Sequence, residues 1–209
     1  MVGKKQNIRS PKNVTLIFVE GDADELIISR LLAYYRGTGW CQQGDVKVVN
    51  MRGFPSESQM RSKITRFQHI SKGKQIIFNT VFCEYDTDIF EKGIQERPNW
   101  KKVEDNLKRQ YNIAHFGRIE ARTSIEDWML DDLDGLLTAL GLPKDTKLKG
   151  ATGQEKVKNL FLKKSKVYDR HKGKPKIKPF IDKLDIAKIR KARKKELKNF
   201  EKTLGVELE

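Results

Sequence analysis

Residues 18–25 read FVEGDADE and residues 83–90 read CEYDTDIF. Glu20, Asp22, Asp24 and Glu25 follow the apolar run VTLIFV, while Asp86 and Asp88 follow IIFNTVF. Carboxylates gathered in one place repel one another unless protons or cations compensate. Hard divalent ions, Mg²⁺ or Mn²⁺, take such oxygen ligands. An ion held this way can activate water and stabilise the oxygens of a phosphodiester under attack. Each acid also has a purely structural use. Asp22 as N-cap with Glu25 three residues on makes a capping box, which would account for those two without catalysis. It leaves Glu20 and Asp24 unexplained. An aspartate pair closing an apolar strand is a poor strand former, which favours a metal role for Asp86 and Asp88. Thr123 and Glu126 form a second capping-box pattern, so capping and catalysis both stand for Glu126.

These groups need elements to place them. VTLIFV (14–19) suits a buried parallel strand, and Gly21 suits a tight turn into a helix carrying Leu26, Ile27, Ile28, Leu31, Leu32 and Tyr35, stopped by GTG at 37–39. Strands at 46–51, 75–86 and about 113–119 alternate with helices at 56–70, about 99–109 and 124–140. This alternation predicts an α/β domain with a mainly parallel sheet flanked by helices. Ligands in such sheets bind outside the carboxyl ends of the strands, where both acidic clusters fall.

Beyond Pro143 the character changes. The chain has 209 residues and a net charge of +15, and residues 144–209 hold 22 Lys or Arg against 9 Asp or Glu. Residues 1–143 hold 21 against 19. We therefore expect a metal-binding catalytic domain over 1–143 and a lysine-rich helical extension over 144–209 that meets a polyanion. A solvated lysine-rich tail is the bland alternative. Helices are predicted at 155–168 and 184–205, with loops at 144–154 and 169–179. The interrupted stripe Ile186, Ile189, Ala192, Leu197, Phe200 and Leu204 packs on the sheet domain or forms a homo-oligomer interface. Cys41 and Cys83, with His69, His115 and His171, match no disulfide framework and no zinc spacing, so each cysteine is read as buried. No apolar run approaches bilayer length and MVGKKQNIRSPKN has no signal-peptide core, which points to a cytoplasmic protein with no membrane partner.

LIFVEGDADELIISRLL followed by IIFNTVFCEYDTDIF resembles the Toprim domain, shared by topoisomerases, bacterial primases, a ribosomal-RNA maturase and the OLD-family nucleases. The resemblance covers roughly 14–140. It implies a compact α/β fold that binds Mg²⁺, with Glu20–Gly21 as the strand-end motif, Asp24 as the second acid (Glu25 as fallback) and Asp86–Asp88 as the aspartate pair. TSIEDWMLDDL is similar to the segment that supplies a further acid in OLD-like members, which would be Glu126. OLD-type sites also use a downstream lysine. Lys156, after GATGQE, is a candidate by context, with a plain surface role as its equal.

The chain lacks the strand-passage machinery of a topoisomerase and the zinc module of a primase. It carries no GxxxxGK[ST], so an OLD-type ATPase would be a separate partner polypeptide. The expectation is a Mg²⁺- or Mn²⁺-dependent nuclease, an effector of a bacterial or phage-encoded antiviral defence system acting on DNA or RNA. A ribonuclease processing or cleaving structured tRNA or rRNA, and a non-catalytic Toprim-like nucleic-acid-binding protein, are the alternatives. Trp40, Trp100 and Trp128 read as core or half-buried residues.

Overall fold

Val14 to Val19 are apolar or β-branched at every position, as a strand covered on both faces requires. The computed structural model, which describes residues 12–40, 44–70, 76–169 and 173–207, places them in β1 (Lys12–Val19). β1 lies between β2 (Asp45–Asn50) and β3 (Ile76–Asp86), and β4 (His115–Ala121) closes the other edge. The order is β2-β1-β3-β4 and every pairing is parallel. The α/β class and the parallel sheet are as the alternation predicts.

The two faces of the sheet are covered differently. Val14, Leu16 and Phe18 of β1, with Val81, Cys83 and Tyr85 of β3, pack against Met60 and Ile64 of α2 (Glu57–Ile70) and Val103 and Leu107 of α4 (Trp100–Tyr111). Ile17, Val19, Phe82, Ile119 and Ala121 face α1 (Asp22–Gly37) and the C-terminal helices. A bulge sets this phase. Val14 pairs with Phe78 but Thr15 with Thr80, so Asn79 is skipped and Phe82, Glu84 and Asp86 share the α1 side.

Beyond β4 the described residues add helices and no further strand. Between β3 and α4 sits one further short helix, α3 (Asp88–Glu91). The helix expected over 124–140 is two, α5 (Ile125–Leu130) and α6 (Leu133–Leu140), because Asp132 leaves helical geometry and caps the second through Gly135 N–H. α7 (Gly153–Leu162) opens with a full capping box between Thr152 and Glu155. Part of the loop expected at 169–179 is α8 (Lys174–Ile181). Its Pro175 is in the first turn, where the missing N–H costs nothing, and only Pro179 removes an internal bond. The long closing helix divides at Arg193 into α9 (Ile186–Ala192) and α10 (Lys194–Leu204).

These helices belong to the same core as α1. Val157, Leu160, Phe161, Ile177, Ile181, Ile189, Leu197 and Phe200 join Ile27, Leu31 and Tyr35 in one buried cluster. The charge boundary at Pro143 is therefore crossed by continuous packing. The stripe from Ile186 to Leu204 spends Ile186, Ile189, Leu197 and Phe200 on this intramolecular contact, not on an exposed interface. Arg30 donates to Ile181 O, Trp40 Nε1 to Leu204 O at 2.8 Å, and Tyr35 Oη to Glu201 Oε1 at 2.8 Å. Trp128 is fully buried and Trp40 and Trp100 are half-buried. Cys83 is buried, whereas Cys41 and His171 lie outside the described residues.

Gly117 in β4 is a close-approach glycine. A Cβ there would stand 2.5 Å from Phe82 Cε1, and Phe82 is itself locked edge-on against Phe200 at 4.8 Å between ring centroids. Gly117→Ala is expected to destabilise by about 1–3 kcal/mol through overpacking. Urea unfolding with an unchanged m-value would register it. Among the described residues, no helix is long and apolar enough to cross a membrane.

Candidate metal centre

The strand order locates the site before any side chain is considered. β1 connects outward to β2 on one side and β3 to β4 on the other, so the order reverses between β1 and β3. Crevices at such a switch point, at the carboxyl ends of the strands, are where parallel α/β sheets bind ligands. Asp24 comes to this point from the first turn of α1, and Glu84 and Asp86 from the last turn of the pleat of β3.

The three carboxylates meet. Asp24, Glu84 and Asp86 are each fully buried and offer oxygens that all lie within 4.8 Å of one another. Alternation along a strand puts Glu84 and Asp86 on one face, and α1 lies over that face. Asp86 is held from two sides. Its Oδ1 accepts from Ile125 N–H at 2.9 Å, at the start of α5, and its own N–H donates to Glu20 Oε1 at 3.2 Å. Glu20 is thus a buried bracket across the ends of β1 and β3. The all-oxygen donor set is of the kind hard divalent cations accept. The triad could hold a metal ion.

Glu84 is the member that reading the sequence missed. The aspartate pair Asp86–Asp88 assumed that the strand continued past Asp86. It does not: Thr87 has φ −80° and ψ −18°, which turns the chain into α3 and breaks the alternation. Asp88 consequently sits in the first turn of α3 and pairs with Lys92, outside the group of three. The usable signal lay two residues upstream, a glutamate inside an otherwise apolar run.

The remaining candidates fall around the triad. The capping box expected in DADE is not formed. The N-cap is Gly21, in extended backbone at φ −146° that any residue adopts, and it makes no side-chain cap bond. Asp22 instead accepts from Asn50 Nδ2 at 2.7 Å and Lys174 N–H at 2.8 Å, and Glu25 pairs with the Lys174 ammonium. Lys174 thereby ties α8 to the opening of α1. Thr123 and Glu126 do not form a capping box either. Ser124 is the N-cap of α5, and Thr123 takes the left-handed conformation at φ 68°, strained for a β-branched residue. It is clamped there, its N–H donating to Thr87 Oγ1 at 3.0 Å and its carbonyl accepting from Asp88 N–H at 3.2 Å. Glu126 is fully buried one residue from the Ile125–Asp86 contact, and its Oε1 accepts from Tyr168 Oη at 2.8 Å.

Lys156 lies in the first turn of α7, half-buried, and no hydrogen bond or ion pair joins it to the triad among the described residues. Among the described residues, Lys92 is a cation close enough to feel the charge of Asp86. Its ammonium is held above its ordinary pKa by the hydrogen bond to Asp88, with Asp86 and Glu155 adding to the effect. On the opposite face of β3, burial holds the Cys83 thiol well above its ordinary range, and the charges of Glu84 and Glu20 push the same way. Cys83 is therefore a packing residue and not a nucleophile. Compared with protein-family models, curated proteins and solved structures, the chain matches none.

Proposed function

We propose that this chain is a Toprim-like, Mg²⁺- or Mn²⁺-dependent nuclease that hydrolyses phosphodiester bonds of nucleic acid. The observation that carries the reading is the convergence of Asp24, Glu84 and Asp86, buried and within 4.8 Å, at the switch point of a parallel sheet. Order and spacing of the motifs around Glu20–Gly21 and Asp86 support the Toprim assignment, and the four-stranded parallel sheet is compatible with it. When bound, the ion supplies Lewis acidity toward water and toward a phosphodiester.

The chain's own residues have distinct tasks in this reading. Asp24, Glu84 and Asp86 hold the ion. Glu20 and the Ile125 amide fix the backbone and carboxylate of Asp86, so that the ligand is aimed before anything binds. Glu126, oriented by Tyr168, stands beside the ligands as the acid of a second site. Lys92 offers a positive charge at the rim, near Asp86. A role as a defence effector and control by a separate ATPase rest on the sequence resemblance alone.

The test is a cleavage panel of plasmid, single-stranded DNA and total RNA with Mn²⁺, with Mg²⁺ and with EDTA. We expect turnover with Mn²⁺ that EDTA abolishes, while much of the nucleic-acid binding persists in EDTA. An absence of cleavage on every substrate with either ion would sink the nuclease reading. Binding alone, indifferent to EDTA, would favour a non-catalytic Toprim-like binder.

A further inference from the structure

The exposed edge of β4 forms the floor of a cleft of about 1360 Å³ that α4 and α10 wall from the two faces of the sheet. Thr87, the residue that follows Asp86 of the acidic triad, is among the residues that line this cleft. Its charges are not balanced. The three acids on its walls are answered locally, Glu104 by Lys108 at 2.6 Å, Glu120 by Arg118 at 3.0 Å and Glu196 by Arg193 at 3.3 Å. Arg122, Lys195 and Lys202 also line it, are exposed, and have no ion pair among the described residues. The cleft thus carries surplus positive charge along its length.

Its wall also presents the half-buried Trp100, backed by the buried Tyr85. Tyr85 and Trp100 stack at 5.0 Å with 15° between their planes, and the Arg118 guanidinium lies 5.6 Å from the centre of the Trp100 ring. Aromatic rings and guanidinium planes beside a basic track are the features that bind unpaired nucleotides without regard to sequence. Base faces are free to meet such groups in a single strand and are stacked away inside a duplex.

We infer that the β4-edge cleft is a binding track for single-stranded nucleic acid, which leads the strand past Trp100 and Arg118 toward the acidic centre beyond Thr87. The inference rests on the nuclease reading only for the fate of the strand at Asp86. Binding is therefore measured in EDTA, where a failure of cleavage has no influence.

The experiment is fluorescence anisotropy of labelled oligothymidylate, oligouridylate and a DNA duplex of equal length, titrated in EDTA at several salt concentrations. Single strands should bind more tightly than duplex, and tighter binding of one homopolymer assigns DNA or RNA as the strand. Lys195→Glu with Lys202→Glu should weaken single-strand binding by about tenfold or more and lower the salt slope by roughly 1.4, the loss of two phosphate contacts. Lys144→Glu with Lys147→Glu makes the same change in net charge on exposed positions outside the cleft, and should shift affinity by less than about threefold. Tryptophan emission should be quenched by the strand in the wild type and much less so in Trp100→Phe, which keeps a ring in the stack. Equal loss in both double variants, or duplex binding as tight as single-strand binding, would overturn the proposal. A reversal that changes the oligomeric state in light scattering but leaves affinity intact would overturn it too, marking β4 as an edge that pairs with a second copy.

Discussion

Glu84→Gln is expected to remove at least about 99% of metal-dependent cleavage, because it withdraws one charged oxygen ligand from a site whose ion contributes several kcal/mol of transition-state stabilisation. Asp88→Asn is expected to lower the rate by less than about threefold, since it disturbs only a surface pair with Lys92. The contrast between the two separates a site built on the Glu84–Asp86 face of β3 from one built on Asp86 and Asp88. Thermal melts give an independent reading. Mn²⁺ at a hundredfold its Kd stabilises by about 2.7 kcal/mol, and for a chain of this length that is a Tm rise of about 5–10 °C. The rise should persist in Asp88→Asn and vanish in Glu84→Gln. If Glu84→Gln cleaves as wild type while Asp88→Asn does not, the centre described above is not the catalytic one.

Arg190→Ala is expected to destabilise the whole protein by about 3–5 kcal/mol, the usual cost of stripping one partner from a buried ion pair. Arg190 and Glu201 are 6% and 7% exposed, so neither end of the pair can fall back on water. Their contact is a two-pronged fork, Nε to Oε1 at 2.8 Å and Nη2 to Oε2 at 3.1 Å, and Tyr35 Oη donates to the same Oε1. Burial first, and then the Glu201 hydrogen bond, hold the Tyr35 phenol well above its ordinary pKa. The expected fall in Tm is on the order of 10 °C. Arg190→Met combined with Glu201→Leu and Tyr35→Phe should recover most of it, since an apolar replacement removes the three buried polar groups of this network together. Calorimetry of both variants decides the matter. A single cooperative transition at lower temperature is expected for Arg190→Ala, because α9, α10 and α1 share one core. An early separate transition of the C-terminal third would show that region to be a detachable unit.

Much of the architecture was legible because it rests on local periodicity. The first three strands show as apolar, β-branched runs, the fourth is expected within two residues of its place, and α1 shows as a spacing of three and four from Leu26 to Tyr35. What periodicity does not carry is where a pattern is interrupted. Asp131 and Asp132 look like the polar face of one helix, yet they end α5 and start α6, since Asp132 finds a better use as a cap and as the acceptor of Asp185 N–H at 2.8 Å. Two prolines made residues 174–179 look like loop, although one of them stands where a helix tolerates it. The same limit governed the site. Asp24 and Asp86 stand out by position, but Glu84 is hidden in FCEYD, and the conformation of Thr87 decides which neighbour of Asp86 shares its face. The uses of Asp22, Glu25 and Glu126 were beyond local reasoning, because their partners Lys174 and Tyr168 come from more than 40 positions away.

The enclosure of α1 by the last helices bears on how the protein is made. Tyr35 and Glu201 are 166 positions apart, and at roughly 5–20 residues per second a ribosome needs on the order of ten to thirty seconds to travel between them. Throughout that interval Ile27, Leu31 and Tyr35 lack their covering side chains, and Asp22 and Glu25 lack Lys174. The acidic residues are synthesised early and their surroundings late. A growing chain would hold Asp24, Glu84 and Asp86 before Tyr168 and Lys174, the partners of Glu126, Asp22 and Glu25, have been made. In the nuclease proposed above, which is built on a messenger RNA, that order of events would itself be a safeguard.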